Sequence, residues 1–233
     1  MLDRFDAARA LGFKAVECQL PYDHGAEELA RACQDEKLQF VMFNAPPGDM
    51  EAGEYGISDL SGREAEFRDC IGQALEYAKT LESRFIHVLA GIVPDGESRE
   101  RCHEVYVENL KWAAETCGDA DVGVLIEPIN TFERPGYLTT LTAEARDTVA
   151  RVLPAWSEDM PGYGYVLGKY AFGLEECGAY GPAEEAGRQA LARYLLKVGA
   201  AARPAPRFGS GNVVAGVHAP RHRAYLFLQA RPK

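Results

Sequence analysis

Long hydrophobic runs are missing from this 233-residue sequence. No stretch of about 18 apolar residues occurs, so no segment reads as a membrane-crossing helix. A secretory leader is not apparent either, because the opening "MLDRFDAARALGF" carries charges every few residues. Paired cysteines are lacking: the six lie apart at Cys18, Cys33, Cys70, Cys102, Cys117 and Cys177, with no Cys-x-x-Cys spacing. That pattern excludes a disulfide framework and a thiolate zinc site, and it suits a reducing, cytoplasmic setting. An excess of positive charge is also absent. The net charge is −10, which speaks against nucleic acid as the main partner.

The most informative absence is local. No acidic residue follows Glu185, while nine Lys and Arg lie beyond it. Up to Glu185 the formal balance is −19, and after it +9. The chain changes compositional character partway along, which implies more than one unit.

What is present is a regular alternation. Helical spacing covers 3–13, where Phe5, Ala8 and Leu11 share a face and Gly12 acts as a stop. Strand-like "KAVECQLP" follows, then the helical "GAEELARACQDEK" and a second strand, "LQFVMFNAP". The loop "PGDMEAGEYGISDLSG" leads to a long amphipathic helix at 63–81 and a third strand, "RFIHVLAG". A helix at 99–117, with Val105, Leu110 and Trp112 among its apolar positions, precedes the fourth strand, "VGVLIEPIN". "TAEARDTVARVL" is the helix after it. Strands alternating with helices point to an α/β fold with a parallel sheet, and in such folds ligands gather at the carboxyl ends of the strands. The polar residues at those ends are Gln19, Asn44, His87 and Glu127.

Glu127 is the most telling of them. It closes an otherwise apolar strand, where a carboxylate is costly unless it is paired, hydrogen-bonded or bound to a metal. His87 fits a hydrogen-bonded core histidine as well as a substrate contact. Asn44 fits a substrate hydroxyl or the backbone groups of its own strand end. The segment 46–49 is turn chemistry, and with Gly53 and Glu54 it has the makings of a lid over the site. Arg63, Glu64, His103, Glu108 and Asn109 read as surface positions. His218 and His222 in "HAPRHR" have no acid or cysteine beside them and give little support for a metal site.

The residues "LGFKAVE", "FNAPPGDMEAGE", "GREAEF", "YAKTL", "IHVLAG" and "IEPIN...PGY" resemble the hydroxypyruvate isomerase family over about residues 3–150. That resemblance implies a xylose isomerase-like (β/α)8 TIM barrel, here partial and occupying 1–153. It also implies interconversion of hydroxypyruvate and tartronate semialdehyde, with a small hydroxy-keto acid or sugar-like molecule as substrate. Glu127 would be a proton-transfer group and a ligand of a divalent metal, Mg²⁺ or Mn²⁺, while Asn44, His87 and Glu54 would contact substrate. Chemically, shifting a carbonyl by one carbon needs a base beside it and a positive charge to stabilise the enediolate.

By the same comparison the chain opens inside the family's first helix. The later strands, with an aspartate near a histidine and a second glutamate, are not recognisable after residue 153. Impaired activity follows as an expectation, as does self-association to cover open sheet edges. At 161–197 the spacing of Gly178, Tyr180, Ala183 and Ala190 is similar to a tetratricopeptide hairpin, within a unit spanning 154–197. Residues 198–233 form a basic Gly/Pro-rich tail in which only "NVVAGVHA" and "AYLFLQA" read as short strands. The alternative function is a non-catalytic protein that binds partners through that hairpin. A metal-dependent endonuclease is a third reading, disfavoured by the acidic first unit.

Overall fold

A computed structural model describes residues 2–152 and 226–228. Helix α1 (Asp3–Ala10) precedes β1 (Ala15–Val16), followed by α2 (Ala26–Asp35), β2 (Gln39–Phe40) and β3 (Met42–Asn44). Then come α3 (Glu64–Leu81), β4 (Phe85–His87), α4 (Arg99–Gly118), β5 (Gly123–Ile126), α5 (Thr142–Val152) and β6 (Leu226–Leu228). The alternation expected from hydrophobic period is observed.

The strand expected over 38–46 is divided in two. β2 pairs in parallel with β1, and β3 pairs in parallel with β4. Backbone bonds nonetheless run on past the break: Val41 N donates to Val16 O at 2.9 Å and Asn44 N to Gln19 O at 2.9 Å. The segments therefore lie side by side in chain order, β1, β2 with β3, β4, β5, each parallel to the last. That is the order of a singly wound barrel wall, of which the described residues cover only part. On the far side of β5, β6 pairs antiparallel, with Leu125 opposite Phe227. A strand edge accepts a partner of either direction, and β6 takes the edge where a barrel would continue with a parallel strand. The expected hairpin at 161–197 lies outside the described residues.

Helix ends differ from expectation where a glycine intervenes. α1 stops at Ala10 and Gly12 adopts φ 87°, so Leu11 leaves the buried face and stands 78% exposed. Phe5 stays buried and meets Phe40 edge-on at 6.4 Å. α3 ends at Glu82 in the left-handed region, and α4 begins at Ser98, whose Oγ accepts the Arg101 amide. Between helices and strands lies one apolar core that includes Leu29, Phe43, Ile71, Ile86, Leu110 and Val124. Among the described residues no helix is long and apolar enough to cross a membrane, and Cys33, Cys70, Cys102 and Cys117 are free thiols.

Three rim segments are stitched together beyond the strand ends. Antiparallel bridges join Ile57 to Gly91 and Ile92 to Tyr137. Gly56 makes the first crossing possible. Its φ is +114°, and a Cβ there would lie 2.8 Å from backbone atoms of Leu89, Ala90 and Gly91. Neither strain nor contact can be relieved by moving a side chain. Gly56→Ala is expected to lower unfolding free energy by about 3 kcal/mol, measured by urea titration.

Candidate functional site

Parallel pairing sets Asn44 opposite His87, because both end neighbouring strands in matching register. Their side chains point the same way and bond: His87 Nδ1 lies 2.9 Å from Asn44 Oδ1. With the carbonyl oxygen as acceptor, Nδ1 carries the proton and Nε2 is the acceptor nitrogen of the ring. Both residues are buried. Tyr22 reinforces the corner, its hydroxyl donating to Asn44 O at 2.8 Å.

On the next strand His87 faces Leu125, and Val88 N donates to Leu125 O at 2.9 Å. Glu127 lies two residues further along, just past the end of β5. It is half-buried rather than buried, so it escapes the full desolvation cost that its apolar strand suggested. The carboxylate lies close enough to Tyr137 to act on that phenol electrostatically. Tyr137 is buried, accepts the Ala90 amide at 2.8 Å and is pushed well above the ordinary tyrosine range, chiefly by burial. Asn44, His87 and Glu127 thus occupy three successive strand ends.

Glu54, expected as a substrate contact, is bonded within its own loop and to the next helix. Its carboxylate receives two guanidinium bonds from Arg63 and the backbone amide of Asp49. Hydrogen bonding from Arg63 holds the Glu54 carboxyl below the usual range, against the opposing effect of burial. Gly48 is pressed on the same carboxylate. Glu54 therefore fixes the shape of the 46–57 loop, and Arg63 serves as its anchor instead of a solvated surface group. Gln19 contributes its backbone carbonyl to the rim while remaining exposed.

Two residues that read as surface positions in the sequence are not there. Asn109 is buried, and its Nδ2 donates to Ser58 O at 2.9 Å, tying α4 to the rim loop. His103 is half-buried between Thr148 and Arg151, and burial lowers its pKa. Glu108 is exposed as expected.

Asp59 is a residue that the sequence pattern does not single out. It is 0% exposed, and among the described residues neither carboxyl oxygen has a hydrogen-bond partner. Burial pushes its pKa up to about 7, partly offset by its own backbone amide and then by Arg99. A Cβ on Gly91 would fall 2.1 Å from Asp59 Oδ1, so glycine is what lets this carboxyl lie under the strand extension. The flanking Ile57 and Leu60, in an otherwise turn-like segment, are the one signal of its burial that the sequence carries.

The described residues contain no group of three or more His, Cys, Asp or Glu able to hold a metal ion. Glu127 offers a single carboxylate, short of the ligand set a divalent cation takes.

Comparison with known proteins accords with this geometry. Residues 5–156 match the xylose isomerase-like TIM barrel family. The chain is 52% identical over 136 residues to a 2-oxo-tetronate isomerase of Cupriavidus necator, covering 58% of this chain and 52% of that protein. It is 44% identical over 144 residues to the hydroxypyruvate isomerase of Escherichia coli, covering 62% and 56%. The crystal structure of an AP endonuclease, family 2, from Brucella melitensis superposes with TM-score 0.63 at 43% identity, covering 65% and 58%. The chain spans about half the length of the curated relatives it matches. With its parallel, chain-ordered strands and its match over 5–156, this chain belongs to the xylose isomerase-like TIM barrel family.

Proposed function

We propose that this chain carries the site of an isomerase acting on a short hydroxy-keto acid, of the hydroxypyruvate to tartronate semialdehyde type. The observation that supports this most is Glu127 at the end of β5, one strand from the bonded Asn44–His87 pair. Relatives with isomerase names, at 52% and 44% identity, point the same way. An endonuclease reading, prompted by the name of the Brucella melitensis protein, sits poorly with a net charge of −10.

In this reaction Glu127 takes the proton from the hydroxyl-bearing carbon beside the carbonyl. The electrons left behind form the enediol double bond, and the carbonyl oxygen gains the negative charge. The same carboxyl returns its proton to the former carbonyl carbon, while the hydroxyl proton passes from its own oxygen to the former carbonyl oxygen, so the C–H and O–H protons both balance. His87, held by Asn44, accepts a hydrogen bond from that substrate hydroxyl at Nε2 and fixes the orientation in which transfer occurs. Glu54 acts indirectly, by holding the mouth loop through Arg63 and the Asp49 amide.

A divalent cation, Mg²⁺ or Mn²⁺, would supply charge stabilisation of the enediolate. The described residues do not complete its ligand shell, so no step above is routed through it.

The test is conversion of hydroxypyruvate followed by aldehyde formation, with and without added Mg²⁺ or Mn²⁺. Aldehyde formed in proportion to protein supports the reading. Rates equal to buffer with either cation overturn it.

A further inference from the structure

We infer that Arg134 is the carboxylate anchor of the substrate, an inference that rests on the hydroxy-keto acid reading above. Reaction at the carbonyl and its neighbouring carbon leaves the acid group of such a substrate unchanged, so it needs a cation of its own. The surroundings make that need acute. Residues up to Glu185 carry a balance of −19, and Glu127 adds a carboxylate at the point of reaction. An anion entering this mouth is repelled unless a positive group is held locally.

Arg134 is that group by position. It lies in the loop that leaves β5, seven residues after Glu127. The loop is fixed by Asn130, whose Oδ1 accepts the amides of Phe132 and Glu133 at 3.0 and 2.9 Å. Arg134 N closes the turn on Asn130 O at 3.1 Å. The guanidinium carbon lies 4.1 Å from the centre of the Tyr55 ring, on the mouth loop that Glu54 holds. Tyr55 in turn meets Tyr137 edge-on at 6.4 Å, and Tyr137 is the phenol on which Glu127 acts. A continuous line of contacts, Arg134 to Tyr55 to Tyr137, leads back to the proton-transfer carboxylate.

The guanidinium is also available. One nitrogen, Nη1, donates to the Glu133 carbonyl at 3.2 Å, and among the described residues no carboxylate pairs with it. Stacking on Tyr55 orients the plane while leaving an edge for a bidentate carboxylate. By contrast, Arg63 and Arg99 at the same rim are spent on Glu54 and Glu144. Arg134 also bridges the two loops that frame the mouth, so a bound carboxylate would draw them together.

The test compares two ligands that differ only in this group, hydroxypyruvate and the neutral dihydroxyacetone, by calorimetric binding to the whole chain. Wild type is expected to prefer the acid by about 30-fold or more. Arg134→Met, which keeps an unbranched apolar stem over Tyr55, is expected to bind the two alike. Arg134→Lys restores part of the preference, because an ammonium keeps the charge and loses the fork. Retention of the wild-type preference in Arg134→Met overturns the assignment, as does wild type showing none. Acid binding without turnover counts against the isomerase reading alone and leaves Arg134 as the anchor. Matching thermal transitions in wild type and variants ensure that folding is not what is read.

Discussion

Asp59→Asn stabilises the domain at pH 8 by about 2 kcal/mol and leaves it nearly unchanged at pH 5. The reason is a buried carboxyl that, among the described residues, no other side chain hydrogen-bonds. Arg99 favours its charge from a distance, while Cys102, Tyr106 and Tyr137 lie within electrostatic range and bring no charge at neutral pH. Burial pushes the folded pKa up to about 7 from an ordinary value of 3.8. The sign follows from where the proton is held more tightly. Between those two values the native state keeps a proton that the unfolded chain releases, so stability falls as pH rises and stays low above about 7. Each pKa unit corresponds to about 1.4 kcal/mol, which sets a ceiling of about 4 kcal/mol on the penalty. Asparagine removes the charge but brings an amide with unmet hydrogen bonds of its own, which reduces the gain to about half. Urea midpoints at pH 5 and pH 8 measure it. Wild type should lose stability between them and the variant should not. Parallel losses in both would show that Asp59 is not the titrating group.

Glu127→Gln is expected to lower turnover of hydroxypyruvate by about 10³-fold while leaving substrate binding within a few-fold. Glutamine keeps the shape of the side chain and cannot take up a proton. Because Glu127 is half-buried and lies beyond the last hydrogen-bonded residue of β5, the stability change should stay within about 0.5 kcal/mol. The two substitutions therefore separate cleanly. One alters stability through a carboxyl the chemistry does not use, and the other alters chemistry through the half-buried carboxyl just past β5.

The alternation of helices and strands was legible because amphipathic period and strand runs are local signals, as in 64–81 and 123–126. So was the gathering of Asn44, His87 and Glu127, since parallel strands place their ends on one rim. Length of strands was less legible: β1 and β4 contribute two and three paired residues, where the apolar runs were longer. The rim's second layer was not legible. "GISDLSGR" has the composition of a solvated turn, and only the return of the chain beneath 88–91 buries Asp59 and brings Asn109 to Ser58. The pairing of Glu54 with Arg63, nine residues away at the start of the next helix, was not legible either. Such pairings are fixed by tertiary contact, and no local spacing announces them.

The measurement that bears most directly on the account is proton exchange, which reports the abstraction step even when net turnover is slow. Hydroxypyruvate in D₂O with the whole chain and Mg²⁺ is followed by proton NMR of the hydroxyl-bearing carbon. Loss of that signal above the buffer rate, abolished in Glu127→Gln, is the predicted result. Exchange that persists in Glu127→Gln, or wild-type protein that leaves the signal intact, would contradict it.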